Sequence, residues 1–212
     1  MLIAIGLTAD PAQAQTWHHV PKIVVVSAAG DSRLSAVDEA VAFWNRTFQE
    51  IGSGFRLGAV TRIARPIPEE ALQQLSGSVL GGRGRTGNFP ALGDLPGDIT
   101  IFLAESEFVS FASPFNENGK RIVGIRGTRF PPMNLPNVPR NVIAHELGHA
   151  IGLRHNSDPT TLMCGRPSPC RPALFRSDQA RMFPLTGAER NWLLAMYPSQ
   201  WKSRSTQLEG RW

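Results

Sequence analysis

Between His145 and His155 the chain reads HELGHAIGLRH, and three of its five histidines stand in that stretch. His145 and His149 are four residues apart. On an α-helix such side chains are neighbours, with Cβ atoms about 5–6 Å apart, so two imidazoles can reach one metal ion. Gly152 follows three residues later. A glycine there can take the left-handed conformation that ends a helix, and the chain can then turn back and bring His155 to the same ion. Three neutral nitrogens leave a fourth position open for water, the pattern of a catalytic zinc site and not of a closed structural one. Glu146 is not needed as a ligand. A carboxylate beside the first histidine can take a proton from zinc-bound water, whose pKa the metal lowers to about 7, and later pass it to a leaving amine.

A helix must carry these groups, and the spacing predicts one between Pro139 and Gly152. Ile143, Leu147, Ala150 and Ile151 fall at i, i+4, i+7 and i+8, one apolar stripe for the core. At about 100° per residue, His145 and His149 lie on the other side, away from that stripe.

The elements upstream alternate in type. KIVVVSA (residues 22–28) is β-branched and bounded by Pro21 and Gly30, which predicts a buried strand. In SRLSAVDEAVAFWNRTF, Leu34, Val37, Val41, Trp44 and Phe48 mark one buried helix face. Residues 55–64 read as a second strand, and Pro68 opens a helical segment through Leu75. Residues 98–105 read as a third strand, 108–113 as an edge strand before Pro114, and 121–127 as a further strand. LTGAERNWLLAMYP (residues 185–198) predicts a last helix, with Thr186 and Glu189 at capping-box spacing and Pro198 as its stop. Gly82, Gly84 and Gly87 form a literal GxGxxG, but NFPALGDLPG follows and cannot start a helix cleanly, so the segment reads as a surface loop without a phosphate cradle. Asn45-Arg46-Thr47 is a formal glycosylation acceptor inside a predicted helix, which makes it a coincidence.

HELGHAIGLRH matches HExxHxxGxxH, and the chain thereby resembles the metzincin zinc metalloproteases. Met163, eight residues after His155 in NSDPTTLMCG, resembles the Met-turn of the matrixin branch, and LTGAERNWLLAMYP is similar to the matrixin C-terminal helix. The likeness spans residues 20–198. It implies His145, His149 and His155 as ligands of one zinc ion, Glu146 as the catalytic base, and Met163 as an apolar floor that does not bind the metal. It implies an extended peptide substrate added to the edge at Phe108–Ser113, and a specificity pocket walled by Gly165–Phe175. It also implies the fold: an α/β domain with a twisted, mostly parallel sheet, packed helices, and a small irregular part after Gly152 that ends in a helix, the cleft lying between the two parts.

Departures from the family pattern shape the remaining expectations. The only tyrosine, Tyr197, falls in the last helix and reads as packing, not as a zinc ligand. The second zinc common in matrixins has only His18 and His19 left to hold it, so none is expected. Asp94, Asp98, Asn116, Glu117 and Asn118 offer oxygens for Ca2+ at no spacing beyond ordinary turn chemistry. Cys164-Gly165-Arg166-Pro167 echoes the latency switch of animal matrixins, yet it directly follows Met163 and cannot easily enter the cleft.

Composition sets the outer bounds. Hydrophobic content of 42% and charged content of 18% describe a globular chain. The charge of +5 comes from scattered arginines, which reads first as a basic surface; a nucleic-acid binder using the GGRGR loop is a further alternative. No stretch approaches a membrane span. Residues 1–14, with a short apolar run and Ala12-Gln13-Ala14, read as the remnant of a secretory signal; the alternative is a frayed cytosolic terminus. Export favours a Cys164–Cys170 disulfide, and a cytosolic location would favour two free thiols. Residues 15–200 are expected to form one catalytic domain and 201–212 a tail. The expected protein is a secreted or periplasmic zinc endopeptidase, monomeric, with no nucleic-acid partner. Alternatives are a non-catalytic zinc-bound binding module and a zinc hydrolase of peptidoglycan cross-links.

Overall fold

The structure, a computed structural model, describes residues 16–81, 89–93, 95–116, 118–135, 137–165 and 175–204. Five strands form one sheet: β1 (Ile23–Ser27), β2 (Val60–Ala64), β3 (Ile99–Leu103), β4 (Phe111–Ala112) and β5 (Arg121–Ile125), in the order β2-β1-β3-β5-β4. The first four neighbours run parallel, and β4 alone is antiparallel, pairing Phe111 with Gly124 and Ala112 with Val123. This is the expected α/β architecture.

The three central strands are buried along their whole length, as parallel strands covered on both faces must be. Their side chains alternate between two cores. Ile23, Val25, Ile99, Ile101, Val123 and Ile125 face helices α1 (Leu34–Glu50) and α4 (Val138–Ala150), whereas Val24, Val26, Phe102 and Ile122 face helix α2 (Glu69–Leu80). Helix α1 buries Val37, Val41, Trp44 and Phe48, the face its periodicity marks, with Leu34 only partly covered. Trp44 donates through Nε1 to the carbonyl of Ala144 (2.9 Å), which locks α1 to the histidine helix. Helix α5 (Gly187–Met196) starts at the capping box, with Thr186 and Glu189 bonded reciprocally.

Some boundaries differ from expectation. The second strand begins at Val60, not Phe55, because the backbone of Leu57 is satisfied by a side chain instead of a strand. The Asn45 amide accepts from Leu57 N–H (2.8 Å) and donates to its carbonyl (3.2 Å). This also commits Asn45 to a packing role. Helix α2 runs on to Leu80, and Pro90–Gly93 forms a short helical turn (α3) where none was expected. A proline in the first turn loses no intrahelical bond there. The edge strand is two residues long, with the Phe111 ring over Gly124, where a Cβ would collide with it.

Tyr197 is fully buried and stacked on Phe55 at 4.1 Å, a packing role as expected. Trp201 packs against Phe55 (4.9 Å), and Arg204 N–H donates to the His18 carbonyl (2.7 Å). Of the calcium candidates, Asp98 accepts from Lys22 N–H (2.7 Å) and pairs with His19 (3.2 Å), and Asn116 accepts from the backbone of Asn118 and Lys120. Asp94 and Glu117, the 82–88 loop, residues 1–14 and Cys170 lie outside the described residues. Among the described residues no helix is long and apolar enough to cross a membrane.

Candidate metal centre

Helix α4 is apolar enough to be buried on nearly every side, and its chemistry is set by how its ends are held. Its C-terminus closes on Gly152, whose φ is +102°. Gly152 N–H donates to the His149 carbonyl (3.0 Å) and Leu153 N–H to that of Gly148 (2.9 Å), the bond pair of a Schellman turn. Three side chains from distant elements reach the last carbonyls of the helix and its turn. Arg121 Nη1 donates to His149 (3.1 Å), Trp17 Nε1 to Ala150 (2.9 Å), and the Tyr197 hydroxyl to Ile151 (3.0 Å). The Arg121 guanidinium thus stands at the negative end of the helix dipole. Burial lowers its pKa to about 10.

The turn delivers His155 back to the helix. The Nε2 atoms of His145, His149 and His155 form a triangle with edges of 3.1, 3.1 and 2.9 Å. Nitrogens around a tetrahedral zinc at 2.0–2.1 Å stand about 3.3 Å apart, so the triangle has the size of a three-histidine site. Among the described residues this is the group that could hold a metal ion.

Protons decide what the triangle means. His145 Nδ1 lies 2.7 Å from the Leu162 carbonyl and His149 Nδ1 lies 2.9 Å from the Leu153 carbonyl. A carbonyl only accepts, so both Nδ1 atoms carry the proton and both Nε2 atoms present lone pairs. Burial keeps the rings neutral: it lowers the His145 pKa to about 4, and that of His149 well below the usual value. Two lone pairs therefore face each other at 3.1 Å, and one proton on His155 could not satisfy all three contacts. A cation between them resolves the arrangement. The donor set, three neutral imidazoles with two of them oriented by carbonyls, fits zinc.

Glu146 lies on the same helix, buried. Burial raises its carboxyl to about 8, and among the described residues no hydrogen bond holds the charged form. His145 is buried as well, at 8% exposure, which corrects the simple two-faced reading of the helix. On the face opposite the apolar stripe the Leu162 carbonyl covers His145, whereas His149 keeps partial exposure.

Met163 is fully buried beneath the helix, and a Cβ on Gly148 would lie 2.5 Å from its sulfur and 2.9 Å from Trp44. Only glycine lets the methionine come so close. A mid-helix glycine, unfavourable by propensity, is the one sequence signal for this contact. Gly165 is a second residue that sequence reading missed. A Cβ there would overlap the His155 imidazole. We therefore expect Gly165→Ala to displace His155 and weaken zinc binding by at least about tenfold, as loss of ligand support commonly does. Metal titration of the folded variant checks this, and an unchanged affinity would contradict the contact.

Two asparagines build the side wall. Asn141, fully buried, donates to the carbonyls of Asn137 (3.0 Å) and Arg181 (2.9 Å) and accepts from Phe183 N–H (2.8 Å). Asn137 donates to the Phe175 carbonyl (3.0 Å) and accepts from Arg181 N–H (3.0 Å). Together they hold the 175–183 segment, and the Phe175 ring stands 6.2 Å from that of His145. Residues 166–174, the rest of the expected wall, lie outside the described residues. Cys164 is buried and is not a free thiol.

No family model and no curated protein matches the chain. Solved structures do. An archaemetzincin from Methanopyrus kandleri matches at 16% identity over 87% of this chain and 97% of its own, with a TM-score of 0.45. The metalloproteinase-II of Bacteroides fragilis matches at 11% identity over 86% of this chain and 54% of its own, with a TM-score of 0.48. A chaperone–substrate complex matches at 15% identity over 86% of this chain and 35% of the other, with a TM-score of 0.45.

Proposed function

We propose that this chain is a zinc-dependent endopeptidase of matrixin-like type. The observation that carries the reading is the convergence of three Nε2 atoms within 3.1 Å, with the His145 and His149 protons committed to carbonyls on the far side of each ring. His145, His149 and His155 would hold the metal. When bound, zinc supplies a Lewis acid that polarises a carbonyl and makes water acidic near neutral pH. Glu146 holds and moves the proton. Its burial makes the neutral form accessible near neutral pH, and a positive charge brought beside it favours the carboxylate, so one group can serve as base and then as acid. A binding module needs no such group.

In this reading an extended peptide adds to the open edge of β4, where Val109, just before the strand, is exposed. The backbone there is set from beneath: Ser76 on α2 donates to the Val109 carbonyl (2.8 Å), and Glu69 accepts from the N–H groups of Glu105 (3.0 Å) and Ser106 (3.1 Å). The segment Gly165–Phe175 would wall the specificity pocket, and Cys164, which is not a free thiol, would pair with Cys170. That bond fits an extracytoplasmic protein.

Digestion of a mixed peptide library tests the reading. Cleavage is expected, lost on chelation and restored by zinc. Cleavage of peptidoglycan cross-links in place of peptides would move the substrate class within the same chemistry. Stoichiometric zinc with no cleavage of either substrate, beside tight binding of a protein partner, would support the binding module instead.

A further inference from the structure

His155 is the one member of the triangle that no helix carries, so something else must fix it. The next residue, Asn156, is bonded through every polar atom it has. Its N–H donates to the Met163 carbonyl (2.9 Å) and its carbonyl accepts from Gly165 N–H (3.1 Å), a parallel bridge to Cys164. Its side-chain oxygen accepts from Asp158 N–H (2.8 Å) and from the Thr161 hydroxyl (3.2 Å). Its amide nitrogen donates to Thr161 Oγ1 (2.8 Å) and to Glu189 Oε1 (2.6 Å).

Glu189 is buried, and its other oxygen accepts from Thr186 N–H (2.7 Å) in the capping box of α5. Capping needs one carboxylate oxygen. The second reaches back 33 residues to the histidine loop. We propose that Asn156 and Glu189 are a positioning pair for the third metal ligand, with α5 as the rigid element against which His155 is set. This rests on the zinc-site reading above. The loop has a parallel anchor at Leu162, whose carbonyl orients His145 and whose N–H donates to Pro184 (2.8 Å). Leu162 therefore serves a helix-borne ligand, and the Asn156–Glu189 bond serves the loop-borne one.

The bond has a polarity that can be reversed. Asn156→Asp keeps the oxygen that Asp158 and Thr161 use, but sets a carboxylate against Glu189. Adding Glu189→Gln restores a donor facing an acceptor, and the new amide oxygen can still accept from Thr186 N–H. Zinc affinity of the purified full chain is measured by competition with a chromophoric chelator, and the visible spectrum of the cobalt-loaded protein reports ligand geometry. Asn156→Asp is expected to weaken zinc by about 10–100-fold and to alter the cobalt spectrum, and the double variant to recover to within about threefold of the wild type. Thr186→Ala, which removes a cap contact and leaves the Asn156–Glu189 bond, should lower the Tm of the metal-free protein at unchanged zinc affinity. If Asn156→Asp does not fold, Glu189→Gln alone should show the same loss, since its amide can no longer serve both partners.

Unchanged zinc affinity in Asn156→Asp, no recovery in the double variant, or an equal loss in Thr186→Ala would each overturn the pairing while leaving the zinc site standing. A wild type that takes up no zinc would overturn both.

Discussion

Glu146→Gln is expected to leave zinc bound and to cut peptide hydrolysis by a factor of about 10²–10⁴, the range that general acid–base catalysis contributes. Glutamine has the size and shape of the buried glutamate, so the helix and its histidines should stay in place. It has no lone pair basic enough to take a proton near neutral pH, and that is the function assigned to Glu146. The metal-free protein offers a second readout. Burial raises this carboxyl from 4.5 to about 8. The folded state therefore binds more protons than the unfolded one between those values, and wild-type stability falls as pH rises through that window. The glutamine variant has no such charge to bury. Its metal-free Tm should equal that of the wild type in acid and exceed it at pH 8. Full cleavage by the zinc-loaded variant would remove Glu146 from the proton-moving role. A Tm difference of the opposite sign would contradict its burial.

What could be read from the sequence and what could not divides by the distance of the contacts involved. His145, Glu146, His149 and Gly152 are placed by one helix and its Schellman turn, and the bonds involved span five residues or fewer. The central strands announce themselves by short β-branched runs, and the capping box of α5 by a three-residue spacing. Failures begin where a distant partner decides. Phe55 to Ala59 has strand composition, but Asn45, a helix residue, takes up the backbone of Leu57. His145, on the far face of α4 from the apolar stripe, is buried because the Leu162 carbonyl, 17 residues on, lies against its ring. Arg121, Trp17 and Tyr197 cap adjacent carbonyls of one helix from positions 28, 133 and 46 residues away. No local pattern marks such a convergence. Gly165 is read as part of a loop because its constraint is the ring of His155, ten residues earlier in the chain. Even Glu189, whose capping role is legible, hides its second bond to Asn156.

His149→Ala should lose most of the zinc, because a site of three imidazoles has no spare ligand. Metal content after dialysis reads this directly, and thermal unfolding reads its consequence. Zinc that binds only the folded chain stabilises it by RT ln(1 + [Zn]/Kd), about 4 kcal/mol at a thousandfold excess over Kd. For a chain of this length, chelation should then lower the wild-type Tm by roughly 8–16 °C. In His149→Ala the same treatment should shift Tm by little. The metal-free Tm values are less diagnostic. The substitution removes one of the opposed lone pairs, which favours the variant, but it also removes a buried ring and its bond to the Leu153 carbonyl, which disfavours it. The chelator-dependent difference cancels both terms and isolates the metal. His19→Ala supplies the control. His19 is half exposed and paired with Asp98 away from the triangle, so that variant should keep the full wild-type shift. A full zinc complement in His149→Ala would mean that the ion sits on other ligands, and the lone pairs of His145 and His149 would be left without a charge to explain their approach.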